Sequence, residues 1–598
     1  MTSLRSRLTS IFRDAFQEAG LDPSHGTVEV SGRPELGQFQ CNGALPAAKV
    51  RKENPRTVAQ RIVDVVEKRE VFADLSIAGP GFINITLTDE FLGEWISRVA
   101  ADERLGVSPV DSPRRIVMDY GGPNVAKSMH VGHIRSTIIG DSLHRLIAFL
   151  GDDVTSDIHL GDWGLQMGQL ITELRRRRPE LPYFDPDNYG PWPDEPPVTI
   201  DDLEEMYPVA SARSNVRDED DDETKERARA AREEARMATA ELQGGRPGYV
   251  ALWSHFRTVS IEALRKDYGA LGVDFDLWYG ESDAQPMIPA MIERLRSGGF
   301  VEESEGAQVI FLPPDPGEKD LPPLILVNRD GGVGYGTTDL ATIVQRVRDF
   351  APDEILYIVD ARQGHHFEQL FRAARRTGLA GNVRLEHLGF GTMNGPDGRP
   401  FKTRAGGVLK LGDLIEMARA QAMARMTETG VAQEYDEAER GEIARLVGIA
   451  TIKYADLMNH RTSNYTFDLE KFTSFEGRTG AYLLYTTVRC KSILRKAKER
   501  GFAPGALLPP TANERNLILA LSSLSDTLYL VYDKRAPNYL CEFLFTLAQE
   551  FSRFYASCHI LTEGNASLRG SWLALVGLVL RQFELGLGLL GIQAPERM

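Results

Sequence analysis

Cysteine is scarce. The 598 residues hold four, Cys41, Cys490, Cys541 and Cys558, far apart and without a Cys-x-x-Cys pair. That argues against a zinc site of the usual spacing and against a disulfide framework, and it predicts a reducing cytoplasm and no protein-bound zinc. Basic charge is also short: 69 Lys and Arg against 85 Asp and Glu leave a net charge of −16. A simple nucleic-acid coat is not built that way, although phosphate recognition needs only a local basic patch. No run reads as a membrane span, because the most apolar window, residues 572–592, is interrupted by Arg581 and Glu584 and reads as a buried helix. A Walker-type phosphate loop is missing, since no Gly-Lys-[Ser/Thr] occurs, and Gly331, Gly332, Gly334 and Gly336 lack the dinucleotide spacing. There is no fixed-period repeat. Near the start, Arg5, Arg7 and Arg13 suggest a transit peptide. However, Leu4, Leu8, Ile11, Phe12 and Phe16 share one helical face beside the acidic Asp14 and Glu18, so a structural amphipathic helix is expected.

What is present is ordinary globular material, 42% apolar and 26% charged, in a chain too long for one core, so three or more domains are expected. Residues 1–110 alternate helical patterns (4–19, 57–66) with strand-like runs (28–30, 81–87), a small α/β domain. From residue 111 to about 410, strands are followed by amphipathic helices. The first unit has a strand over 116–120 and a helix over 133–150 that Gly151 stops; the second has a helix over 337–350, a strand over 355–359 and a helix over 366–376. Such alternation predicts a parallel sheet covered by helices on both faces, with ligands beyond the carboxyl ends of its strands. A charged insertion at about 171–250 separates the halves; its run 217–236 reads as a solvated helix. Beyond 411 the patterns are helical: 443–457, 482–498, 514–532, 540–561 and 571–590.

The chemistry centres on His130-Val131-Gly132-His133, just after a strand and opening a helix. Gly132 lets a flat base or ribose approach the backbone. The helix N-terminus offers free N–H groups and a positive dipole end to phosphates. Two imidazoles can donate to phosphates as charge builds in the transition state. By itself the pattern is weak, because a histidine pair is more often structural than catalytic.

The surrounding block, Asp119-Tyr-Gly-Gly-Pro-Asn-Val-Ala-Lys-Ser-Met-His-Val-Gly-His-Ile-Arg-Ser-Thr-Ile-Ile-Gly-Asp141, resembles the nucleotide-binding signature of class I aminoacyl-tRNA synthetases in the form typical of arginine enzymes. Gly161-Asp-Trp-Gly-Leu-Gln-Met-Gly168, Phe401-Lys-Thr-Arg-Ala-Gly-Gly407, Tyr454-Ala-Asp-Leu457, Ser474-Phe-Glu-Gly-Arg-Thr-Gly480 and Leu589-Leu-Gly-Ile592 are similar to further segments of the family. So are Gly37-Gln-Phe-Gln-Cys-Asn42 and Ala78-Gly-Pro-Gly-Phe-Ile-Asn84 near the start and Pro595-Glu-Arg-Met598 at the end. The resemblance covers the whole chain in order, least of all in the charged insertion. It implies an α/β Rossmann-type catalytic domain over 111–410, preceded by a small tRNA-binding α/β domain over 1–110. A helical junction over 411–474 and an all-α anticodon-binding domain over 475–598 follow. It implies arginine activation with ATP and Mg²⁺, transfer to tRNA, a monomer, no membrane partner, and often a need for bound tRNA before activation.

By position, the resemblance implies that Asp119 and Asn124 hold the α-amino and α-carboxylate groups of arginine, that His130 sits between arginine and ATP, and that Gly132 and His133 contact ATP. Tyr335, Asp339 and Gln363 would form the side-chain pocket. That suits a guanidinium, a planar five-donor cation needing a carboxylate and neutral acceptors, and Tyr335 and Asp339 are four apart on one helical face. An ordinary first-turn acid is the bland alternative for Asp339. His365 and His366 lack further ligands for a metal, which leaves helix-end or ATP-side contacts. Exposed cations of the tail, Arg489, Lys491, Arg495 and Lys496, are expected to meet tRNA phosphates.

One departure stands out. Class I synthetases carry a mobile Lys-Met-Ser-Lys loop, whereas this chain reads Pro400-Phe-Lys402-Thr403-Arg404, so the second lysine is missing. Lys127, Lys402, Thr403 and Arg404 are the candidates to meet ATP in its place. Rival readings are a pantothenate-type ligase, another class I synthetase, or a non-catalytic tRNA-binding paralogue. The N-terminal domain and helical tail disfavour the first, Tyr335 and Asp339 the second, and the intact His130, Gly132, His133 and Lys402 the third.

Overall fold

The computed structural model describes residues 3–127, 129–216, 221–314, 316–317, 319–329, 331–395, 398 and 409–598. They form two compact units, one of residues 1–110, 422–458 and 470–598, the other of 111–421 and 459–469.

The second unit is built on a four-stranded, all-parallel sheet. Its order is Arg384–His387, Glu354–Ile358, Arg115–Tyr120, Asp153–Asp157. From Arg115–Tyr120 the chain crosses through helix Val131–Phe149 to Asp153–Asp157 on one side. The later strand Glu354–Ile358 lies on the other side, in register with Asp119 opposite Tyr357. The strand order therefore switches between the two central strands, and the groove beyond their carboxyl ends is where such sheets bind ligands. Ser136 ties the helix to this switch: its hydroxyl donates to Ile358 O at 2.6 Å and accepts from Gly121 N at 2.8 Å.

A three-stranded antiparallel sheet, Glu302–Ser304, Ala307–Ile310 and Leu324–Val327, lies outside the predicted strands. Its strands have three or four residues, too short for period-two alternation to stand out; their buried side chains Ile310, Leu324 and Leu326 join one core with Leu340, Ile343 and Leu370. In the insertion, Asp222–Gln243 is a helix. It packs a strip of small residues, Ala228, Ala235 and Ala238, inward and keeps its charges on the other face.

The first unit joins a four-stranded antiparallel sheet, in the order Val28–Val30, Phe39–Cys41, Phe82–Leu87, Phe72–Ala78, to helices from the end of the chain. Arg581 donates to the carbonyls of Ala100 and Asp102, and Arg515 to Leu87 O and Asp89. The stretch 514–532, predicted as one helix, is two, Ala512–Ser522 and Leu524–Lys534. Ser522 and Ser523 turn their hydroxyls onto the Ile518 and Ala520 carbonyls, competing with the helix ladder at the break. Ala566–Leu589 is long and apolar enough to cross a membrane by length and composition. Its Trp572, Leu573, Val576, Val579, Phe583 and Leu587 are nonetheless buried inside the protein.

Candidate active site

A cavity of about 360 Å³ opens at the switch point. Asp119, Asn124, Gly132, His133, Asp339 and Gln363 all line it. They arrive from several elements: Asp119 near the end of a central strand, Asn124 in the loop after it, Gly132 and His133 on the first helical turn. Asp339 lies one turn into Tyr335–Phe350, and Gln363 just precedes Gly364–Arg376.

His130 caps its helix with its own ring. Its Nδ1 accepts from Gly132 N at 3.0 Å, and His133 Nδ1 accepts from His130 N at 3.5 Å. With both Nδ1 atoms taken as acceptors, the neutral rings carry their protons on Nε2. The rings lie 3.9 Å apart. Burial, then the charge of Lys127, lowers the His130 pKa. Burial, then His130 and Lys127, brings His133 down to about 3. Both imidazoles are therefore neutral N–H donors at neutral pH. Gly132 serves this cap directly, because a Cβ there would stand 2.8 Å from His130 Cε1.

Asn124 is set by its neighbour Gly161. The two pair as an isolated parallel bridge, and a Cβ on Gly161 would meet Asn124 Oδ1 at 2.2 Å. The signature block and the Gly161-Asp-Trp-Gly segment are thus one structure.

Beneath the cavity lies a group that sequence reading missed. The fully buried Arg346 donates through Nη2 to Asp119 Oδ2 at 2.7 Å and to Asp157 Oδ2 at 2.6 Å. Burial pushes the Asp119 carboxyl up, and Arg346 pulls against it without cancelling it. Asp339, Thr342 and Arg346 are spaced i, i+3, i+7, one helical face whose first two members line the cavity. That spacing was the available signal. His159 also lines the cavity, with a left-handed backbone at φ 45°; nothing in its sequence context marked it.

Other expected residues stand apart. Tyr335 opens its helix 73% exposed and does not line the cavity. Lys127 does not line it either; its Nζ rests 4.2 Å from the centre of the Tyr207 ring on insertion helix Ile200–Arg213. Lys402, Thr403 and Arg404 lie outside the described residues. The chain just after them is held beside the signature: Val131 N donates to Leu409 O, Leu411 N to Met129 O, and His130 bridges Lys410. His366 is held by one of the side chains that line the cavity. Its Nε2 meets Asp339 Oδ2 at 2.6 Å. In the tail, Lys491 is only 12% exposed and pairs with Glu596 and Glu584, so it is not an exposed cation; Arg495 and Lys496 are exposed.

The parallel sheet with this cavity at its switch, opened by a His-x-Gly-His helix, defines a class I aminoacyl-tRNA synthetase. Residues 96–469 match the family described as tRNA synthetases class I (R), catalytic domain. Residues 483–598 match the DALR anticodon binding domain, and 6–87 the arginyl tRNA synthetase N terminal domain. The arginine–tRNA ligase of Maricaulis maris is 50% identical over 599 residues, and that of Alkaliphilus oremlandii 46% over 603, with 100% of each chain covered in both cases. The crystal structure of the Plasmodium falciparum arginyl-tRNA synthetase shares the fold at a TM-score of 0.81 and 24% identity, covering 100% of both chains. The chain belongs to the arginine–tRNA ligase family.

Proposed function

We propose that this ligase, which activates arginine with ATP and charges tRNA, forms the adenylate in the switch-point cavity and works as a monomer in the cytoplasm. The observation that carries this reading is the convergence of Asp339 and Gln363 with Asp119, Asn124 and the neutral His133 on one cavity, with the His130 ring 3.9 Å behind that of His133. Asp339 takes the guanidinium and Gln363 supplies a neutral acceptor. Asp119, fixed by Arg346, takes the α-amino group and Asn124 the α-carboxylate. His130 stands between arginine and ATP, and Gly132 and His133 take the ATP phosphates on the helix N-terminus.

Adenylate formation joins the arginine carboxylate to the α-phosphorus and expels pyrophosphate, so negative charge grows on the phosphates. Neutral Nε2–H groups of His130 and His133 meet that charge without an imidazolium having been desolvated first. Lys127, Lys402 and Arg404, with Mg²⁺ arriving as part of the nucleotide substrate, supply the positive charge of the missing signature lysine. The DALR helices take the anticodon arm, with Arg495 and Lys496 available to phosphates.

Pyrophosphate exchange measured across the amino acids, with and without tRNA, tests the reading. Exchange with arginine alone among them, strengthened by tRNA, is the expected result. Exchange with a neutral amino acid would overturn it. His133→Ala should lower kcat of exchange roughly 10²–10³-fold with little change in ATP KM, as removal of a transition-state donor does. A loss confined to ATP KM would mean that His133 binds ground and transition states alike.

A further inference from the structure

Asp339 is already engaged before any substrate arrives. Its Oδ2 lies 2.6 Å from His366 Nε2, and both side chains are about 30% exposed or less; of the two, Asp339 lines the cavity. His366 stands three residues after Gln363, the other side chain proposed to meet the guanidinium. A carboxylate has about four lone-pair positions, so it can keep one N–H from a neutral imidazole and still accept two from a guanidinium. It cannot do so with an imidazolium in place without setting two cations against one carboxylate.

From this geometry, and resting on the reading of Asp339 as the guanidinium partner, we infer that His366 is a positioning residue for arginine recognition. In its neutral form it steers the Asp339 carboxylate through Nε2–H, and in its protonated form it competes with arginine for it. When arginine binds, the Nε2–H bond stays and the Nδ1 proton leaves to solvent. Arginine on Asp339 and the second proton on His366 then oppose each other, and binding of a cation is coupled to pH.

The electrostatics agree in sign. The bond from Asp339 raises the His366 pKa against the effect of burial. The protonated form therefore persists upward from the ordinary histidine range, and the competition operates as pH falls through that raised value. Other titratable groups stand near. Glu281, pushed up to about 7 by burial, feels the charges of His159, Asp162 and Asp339. Tyr335 and Tyr357 also sense Asp339. His365 neighbours His366 on its helix, and His387 stacks on the adjacent Phe367. Of these, Glu281 can also release a proton when a guanidinium arrives, and it must be separated from His366.

The test is calorimetric titration of arginine into the full chain near pH 6, in buffers of different ionisation heat, which counts protons released per arginine bound. Wild type should release protons, and His366→Gln, which keeps an N–H donor but cannot titrate, should lose the share of one histidine, at most about one proton. Glu281→Gln should retain that share. Equal release from wild type and His366→Gln, or release abolished by Glu281→Gln alone, would overturn the inference. Asp339→Asn separates the two levels: unchanged arginine affinity there would remove the pocket reading itself. Weakened affinity in Asp339→Asn with proton release unaltered in His366→Gln would remove only the coupling.

Discussion

Asp339→Asn is expected to raise the KM for arginine roughly 10²-fold or more while leaving ATP KM and the fold intact. Truncating one partner of a hydrogen-bonded charge pair in an enclosed site costs about 2–5 kcal/mol, and each 1.4 kcal/mol is roughly a factor of ten. The amide keeps the shape of the carboxylate but loses its charge and turns one acceptor into a donor aimed at the donors of the guanidinium. Citrulline carries a neutral ureido group where arginine carries its cation, and a site built on a carboxylate rejects such an analogue strongly. In Asp339→Asn that preference should shrink, because arginine loses its partner and citrulline loses nothing of the kind. Arginine kinetics unchanged in the variant would show that the guanidinium lies elsewhere.

Arg346→Met is expected to cost about 3–5 kcal/mol of stability, the scale for breaking a buried ion pair from one side. The variant leaves Asp119 and Asp157 facing each other in the interior, each having lost its 2.6–2.7 Å bond to the guanidinium. The loss should also depend on pH, with a definite sign. Burial already pushes the Asp119 carboxyl upward. A carboxyl raised in the folded state contributes stability that is complete at acid pH and is lost as pH rises through its raised value. Removing Arg346 raises it further, so the deficit should be larger at an alkaline pH and smaller at an acid one. Denaturant unfolding of both proteins at the two pH values measures this. A deficit independent of pH would mean that lost packing, not uncompensated charge, is responsible. Activity should fall as well, since Asp119 would no longer be held toward the cavity.

How far the sequence could be read depended on whether a feature was local. Helices such as Val131–Phe149 and Tyr335–Phe350, and the strands Arg115–Tyr120 and Glu354–Ile358, carry their own periodicity and were legible to within two residues at either end. Asp153–Asp157 was not, because a strand reading Asp-Val-Thr-Ser-Asp has a polar end whose reason for being buried, Arg346, lies 189 residues later. The candidate site divides in the same way. Gly132 and His133 are fixed by a local cap and could be named from their motif. Tyr335 shares a face with Asp339 by spacing, yet at the first turn of its helix it faces solvent. The pairing of His366 with Asp339 spans 27 residues and two helices, and no pattern in either helix announces it.

The joining of the start of the chain to its end has a consequence for synthesis. Arg5 pairs with Asp526, a partner 521 residues downstream. At about 5–20 residues per second, a ribosome needs roughly 26 to 104 s to travel from one to the other. Late in that interval the strands of the parallel sheet, which end at His387, have left the tunnel, while the surfaces that will meet the last helices still stand open. The catalytic unit can therefore complete itself first, and the unit that begins the chain is among the last to close.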